Sequence, residues 1–232
     1  MTLATRPRAI VTDIEGTTSS IAFVHEVMFP YSRARLADFV AEHSAEVAPI
    51  LARVRAMEEG AGGDDAACVA LLLEWHDADR KIEPLKTLQG MIWAEGFASG
   101  ALRGHIYPDA VDGLKRWHKA GIPLYIYSSG SVAAQKLLFG HSDFGDLTPL
   151  FSGHFDTAIG GKKEAASYRA IAAQLGLPAS DILFLSDVVE ELEAAEEAGF
   201  AVMLLVREGD WPASRFPASR DFTTILPDKA PA

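Results

Sequence analysis

A short β-branched run, Ala9-Ile10-Val11-Thr12, ends abruptly in Asp13, and the chain then goes about eighty residues without another clear strand signal. Such a run reads as a buried strand, and a strand covered on both faces needs partners that here can only come from far downstream. The intervening stretch, from about residue 23 to 100, is helical in period. Val47, Ile50, Leu51 and Val54 recur at helical spacing, as do Val69, Leu72, Leu73 and His76, then Leu85, Leu88, Ile92 and, more loosely, Glu95. The tract Glu58-Glu59-Gly60-Ala61-Gly62-Gly63-Asp64-Asp65 reads as an exposed linker between two helices, with Asp64 or Asp65 as an N-cap. A small helical bundle is expected here.

Beyond Gly104 the pattern alternates. Residues 109–119 read as a helix stopped by Gly121, 122–127 as a strand ending at Ser128-Ser129-Gly130, and 132–139 as a helix. Residues 164–175 form a helix closed by Gly176, 182–185 a strand ending at Ser186-Asp187, 189–198 a helix stopped by Gly199, and 201–206 a strand. Such alternation predicts a parallel sheet flanked by helices. The tail after Arg207, with Pro212, Pro217 and Pro227, reads as largely irregular. The expected fold is therefore α/β: a Rossmann-like parallel sheet with strand 1 at its centre and a helical cap inserted after that strand. Residues 1–18 and 102–232 would form the catalytic core and 19–101 the cap.

With 21 Lys+Arg against 32 Asp+Glu, the formal net charge is −11. This argues against non-specific binding to nucleic acid or anionic membrane, which needs a positive field. An anionic small molecule stays possible, because a metal ion and one lysine can reverse the potential locally. The lone Cys68 has no intramolecular disulfide partner and sits in an apolar run, so a buried, inert thiol is expected. The apolar residues after Arg6 and Arg8 stop at Asp13, too short for a signal-peptide core. The longest apolar runs, such as 66–73, fall well short of the roughly 20 residues that span a bilayer. A cytoplasmic monomer is the expectation.

In open α/β sheets ligands bind outside the carboxyl ends of the strands. Those ends carry Asp13-Ile14-Glu15, Ser128-Ser129 and Ser186-Asp187, and Lys162 precedes the helix that begins near Glu164. Carboxylates, hydroxyls beside backbone N–H groups, and one ammonium suit phosphoryl transfer. Carboxylate oxygens hold Mg²⁺, a carboxylate can accept a phosphoryl group, and cation and lysine neutralise the equatorial oxygens.

Asp13-Ile14-Glu15-Gly16-Thr17, Ser128 after its strand, Lys162 and Ser186-Asp187 resemble, in order, the four motifs of the haloacid-dehalogenase superfamily. Three longer strings carry the likeness further: Tyr125-Ile126-Tyr127-Ser128-Ser129-Gly130-Ser131, Gln135-Lys136-Leu137-Leu138-Phe139-Gly140-His141-Ser142 and Leu183-Phe184-Leu185-Ser186-Asp187. With the first motif they resemble the enolase-phosphatase family of methionine salvage over nearly the whole chain. The resemblance implies that Asp13 is the nucleophile and a Mg²⁺ ligand, that Glu15 is the second acid and Asp187 the third metal-binding group. It implies that Ser128 and Ser129 hold the substrate phosphate and that Lys162 binds it too. Lys163, one place on, is the alternative register, and Glu191 is placed as an outer partner of the metal site. The implied substrate is 2,3-diketo-5-methylthiopentyl-1-phosphate, enolised and then dephosphorylated to the acireductone 1,2-dihydroxy-3-keto-5-methylthiopentene.

Blander roles exist for each residue. Asp13 could cap a loop, Asp187 could N-cap the following helix, the serines could be turn formers, and Trp75, Trp93 and Trp117 read as core. Glu15, His25 and Glu26 are all candidates for the enolisation base, the last two on the expected cap, which would close over the site and exclude water. A phosphosugar or phosphoglycolate phosphatase on the same core is the competing enzymatic reading. A signalling receiver module is disfavoured, since the acidic pair follows the first strand and a helical insertion interrupts the chain.

Overall fold

The computed structural model describes residues 6–57 and 63–226. The chain divides into two units: Ala22–Arg103, and Met1–Ile21 together with Gly104–Ala232. Between β1 (Ala9–Thr12) and the second strand every described element is helical: α1 (Ile21–Phe23), a π-helical turn (Val24–Met28), α2 (Phe29–Glu42), α3 (Ser44–Met57), α4 (Asp65–Asp77) and α5 (Glu83–Ala98). Asp64 is the N-cap of α4, its carboxylate accepting from the Ala67 amide at 3.0 Å. Most of the expected linker, residues 58–62, lies outside the described residues.

The helical unit has its own core. Leu36 and Val40 of α2 meet Val47, Leu51 and Val54 of α3, with Leu85, Leu88 and Ile92 of α5. On α4 the buried stripe is Cys68, Leu72 and Trp75, whereas Val69 and Leu73 are only partly buried. The expected stripe is therefore rotated. Leu71-Leu72-Leu73 is apolar on every side, so periodicity alone does not select a face, and the large Trp75 side chain does. Trp93 is half-buried and donates from Nε1 to the Met28 carbonyl at 2.9 Å. His25 and Glu26, the two expected cap candidates, are exposed on the π-helical turn.

The second unit continues with α6 (Pro108–Lys119), β2 (Leu124–Tyr127), α7 (Val132–Gly140), β3 (Gly153–Phe155), α8 (Ala165–Leu175), β4 (Ile182–Ser186), α9 (Val189–Glu197), β5 (Ala201–Leu205) and β6 (Ala218–Ser219). Among the described residues these strands form one parallel sheet of six, ordered β3-β2-β1-β4-β5-β6. The central place expected for strand 1 is observed. The strands at the two edges, β3 and β6, are absent from the sequence reading: three and two residues are too short to show a period, and pairing with β2 and β5 makes them strands. One face of the sheet packs Val11, Tyr127, Phe184 and Leu204 against Tyr168, Ile171 and Leu192 of the helices. Among the described residues no helix is long and apolar enough to cross a membrane.

The chain re-enters this unit at Gly104, whose amide donates to His141 O at 2.8 Å and whose carbonyl accepts from the Asp143 amide at 3.0 Å. The return point is thus pinned to the end of the Gln135–Ser142 string. A Cβ on Gly104 would lie 2.1 Å from the Leu138 carbonyl oxygen, a backbone atom that cannot rotate away. Gly104→Ala should therefore destabilise this unit by about 1–3 kcal/mol, the usual cost of overpacking. A urea unfolding curve followed by tryptophan fluorescence checks this, and an unchanged midpoint would contradict the packing argument.

Candidate active site

Register decides which residues can meet. Thr12 of β1 pairs with Ile126 of β2 and with Leu185 of β4, so Asp13, Ser128 and Ser186-Asp187 leave the sheet at one carboxyl edge. The Asp13 amide donates to Leu185 O at 2.9 Å, the last sheet bond before the chain turns. The turn itself is tight: the amides of Thr17, Thr18 and Ser19 all donate to Ile14 O, and Gly16 adopts φ +73°. A Cβ on Gly16 would sit 2.1 Å from Asp187 Oδ2, so the glycine lets the loop after Asp13 lie directly against that carboxylate.

The lysine is positioned by its own loop. Three successive carbonyls each accept a side-chain hydroxyl: Gly160 from Tyr127 at 2.9 Å, Gly161 from Ser167 at 2.7 Å and Lys162 from Tyr168 at 2.6 Å. Thus held, Lys162 Nζ lies 2.6 Å from Asp13 Oδ1 and 2.8 Å from Glu191 Oε2, with only 10% of its side chain exposed. Lys163 points elsewhere: 62% of its side chain is exposed, and it pairs with Glu190 at 3.6 Å. Lys162, not Lys163, reaches Asp13.

Glu191 lies directly against the lysine. It is buried, touches the lysine, and accepts from Ser186 Oγ at 2.9 Å. Sequence reasoning placed it one helical turn beyond Asp187 but missed its direct contact with Lys162. Burial would lower Lys162, but the negative Asp13 and Glu191 outweigh this and hold the ammonium well above the ordinary lysine range. Burial, and then the Asp13 charge, push Glu191 upward, with Lys162 and Ser186 opposing.

Glu15 accepts from Ser128 Oγ at 3.2 Å, linking the first loop to the end of β2. Its pKa is raised by burial and then by Asp13. Ser128 is buried and also accepts from the Gly130 amide at 3.1 Å, whereas Ser129 is exposed at the same edge. Gln135 of the long α7 string braces this turn: its amide donates to Gly130 O and Phe155 O at 2.9 and 2.8 Å.

Asp187 does not cap α9. The cap residue is Val188, whose amide donates to Ser186 Oγ at 3.1 Å, so the Asp187 carboxylate is left for other work. Its Oδ1 is buried without a hydrogen-bond donor among the described residues. Burial, and then the Asp13 charge, raise its pKa to about 6. Among the described residues no three His, Cys, Asp or Glu side chains converge to hold a metal ion. Mg²⁺ does not need three, since it takes one or two carboxylates and keeps several waters. Asp13 and Asp187, mutually repelling and with one oxygen unpartnered, have the donor chemistry that suits it.

The lysine geometry makes a directional prediction. Lys162→Ala should lower kcat/KM for a phosphate ester by about 10²–10³-fold, the range for removing one donor that stabilises developing charge. Lys163→Ala should leave it nearly unchanged, and parallel steady-state assays would expose a reversed ordering.

A family profile for haloacid dehalogenase-like hydrolases matches residues 7–199. The chain is 56% identical over 223 residues to the enolase-phosphatase E1 of Methylococcus capsulatus, spanning 95% of this chain and 98% of that one. It is 55% identical over 229 residues to the enolase-phosphatase E1 of Klebsiella oxytoca, spanning 97% and 99%. Among solved structures, the UTR4 protein of Saccharomyces cerevisiae has a TM-score of 0.83 at 35% identity, covering 95% of this chain and 100% of that one. A dehalogenase solved with an intermediate complex shares the fold, with a TM-score of 0.58 at 17% identity over 95% and 96% of the two chains. The chain belongs to the haloacid dehalogenase-like hydrolases and, within them, to the enolase-phosphatase E1 family.

Proposed function

We propose that this enolase-phosphatase converts 2,3-diketo-5-methylthiopentyl-1-phosphate into 1,2-dihydroxy-3-keto-5-methylthiopentene and inorganic phosphate in methionine salvage, with Asp13 as its nucleophile. The observation that carries this reading is the buried Asp13–Lys162 contact at the sheet edge, in a chain whose near-full-length relatives are enolase-phosphatases. It acts on a phosphorylated small molecule. No role for nucleic acid or membrane is part of the proposal, and a cytoplasmic monomer is.

In the first half-reaction a base takes a proton from the methylene carbon that bears the phosphate ester, and the adjacent carbonyl oxygen gains a proton to become an enol. In the second, an Asp13 carboxylate oxygen attacks phosphorus while the bond to the enol oxygen breaks, leaving an aspartyl phosphate. Water then attacks that phosphorus, and the Asp13 oxygen departs as carboxylate with release of phosphate. Lys162 turns its ammonium from Asp13 and Glu191 toward the phosphoryl oxygens, on which negative charge is spread in the transition state. The Ser128 hydroxyl, anchored on Glu15, and Ser129 at the same turn bind the phosphate. The family is typically metal-dependent, and Mg²⁺ is the metal proposed here; when bound it supplies charge neutralisation between carboxylates and phosphate. Asp13 and Asp187 would hold it, with Glu15 as the third acid of the set.

Two experiments test this reading. Asp13→Asn should lower phosphate release from the diketone phosphate by about 10⁴-fold or more, the order lost when a covalent nucleophile is removed. Retained turnover would overturn the assignment of the nucleophile. Chelation with EDTA should abolish activity, and added Mg²⁺ should restore it, because Asp13 and Asp187 otherwise repel the phosphate dianion. Full turnover in EDTA would exclude the metal. A preference for sugar phosphates or phosphoglycolate over the diketone would overturn the substrate.

A further inference from the structure

Arg207 lies two residues beyond β5, outside every motif described above, yet only 8% of its side chain is exposed. Its Nε and Nη2 both donate to the Thr17 carbonyl, at 2.9 and 2.6 Å. Its Nη1 donates to Asp109 Oδ2 at 2.7 Å. The guanidinium lies over the Tyr107 ring at 4.2 Å and the Phe222 ring at 5.1 Å. Asp109 is fixed in turn, since the same Oδ2 accepts from the Phe222 amide at 2.9 Å. The Tyr107 amide completes the arrangement by donating to the Thr18 carbonyl, also at 2.9 Å.

Resting on the assignment of Asp13 as nucleophile, we infer that Arg207, with Asp109, is a positioning residue that sets the nucleophile loop. The inner side of that loop satisfies itself, three amides converging on Ile14 O. Its outward carbonyls at Thr17 and Thr18 do not, and both residues are fully buried. A buried carbonyl without a donor is costly, so loss of Arg207 turns the Thr17 peptide toward another partner. That rotation is transmitted in two ways. Thr18 Oγ1 donates to the Asp13 carbonyl at 3.2 Å, and Gly16, in its left-handed conformation, lies against the Asp187 carboxylate. Both carboxylates at the centre of the site therefore move with the loop. Lysine cannot replace the arginine, because one ammonium does not present a fork to a carbonyl and a third donor to a carboxylate at once.

The test compares Arg207→Lys with the double variant Arg207→Met/Asp109→Leu, which removes both charges and so leaves no buried ion unpaired. Each is followed by steady-state kinetics with the diketone phosphate, by thermal unfolding, and by amide hydrogen exchange. Positioning requires kcat to fall by about 100-fold with KM nearly unchanged, the scale of a 1 Å misplacement. Faster exchange should be confined to Thr17, Thr18 and Ser19. Wild-type kcat and wild-type loop exchange in either variant would overturn the inference. So would faster exchange spread over the whole sheet with a fallen unfolding temperature in both variants, which marks a general structural role. If wild-type enzyme releases no phosphate, the functional reading fails, and loop exchange alone then decides the positioning role.

Discussion

A lysine ammonium held among four acids organises this candidate active site. Asp13, Glu15, Asp187 and Glu191 are brought to one end of the sheet, and among the described residues Lys162 is the cation in contact with two of them. Burial makes every one of these charges expensive, and the carboxylates outnumber the ammonium. The excess shows in the raised pKa of Asp187 and Glu15, in each case by burial first and the Asp13 charge second. A site so charged favours whatever brings positive charge in, and it repels a phosphate dianion that arrives without it. The same imbalance suits these carboxylates to a divalent cation.

Holding such a cluster requires rigid loops, and the fold supplies them through side-chain hydroxyls and backbone carbonyls rather than through further ion pairs. Tyr127, Ser167 and Tyr168 fasten the lysine loop, Gln135 braces the turn at Ser128, and Ser186 steadies Glu191 while accepting from the Val188 amide. These donors stand on β2, β4, α7 and α8, so packing of the α/β unit is also the means by which the site is aimed. Neutral donors serve here because each added charge would have to be desolvated. Arg207 is the exception, and its charge is matched by Asp109 and covered by two rings.

Much of this is legible in the amino-acid sequence. The alternation of short strands and helices after Gly104 announced a parallel sheet, because βαβ units impose both the lengths and the burial. The polar residues at strand ends announced the edge where chemistry occurs. The edge strands β3 and β6 were illegible, since two or three residues carry no period. The face of α4 was misread because a run of three leucines offers no contrast between its sides. Glu191 was visible as an acid one turn from Asp187, but its reach to Lys162 depends on where α9 packs.

What the sequence determined by itself was local and chemical: the strand that ends in Asp13, the helical run that follows it, the identities of the groups at each strand end, and the family likeness those strings carry. Tertiary structure decided which of two adjacent lysines faces Asp13, because side chains on successive residues point apart and only the hydroxyl-anchored loop selects one. It also decided that Arg207, 190 residues from Thr17 along the chain, closes on the loop after Asp13. No periodicity or spacing encodes such a contact, since it exists only once β5 has paired with β4 and brought the end of the strand beside the turn after β1.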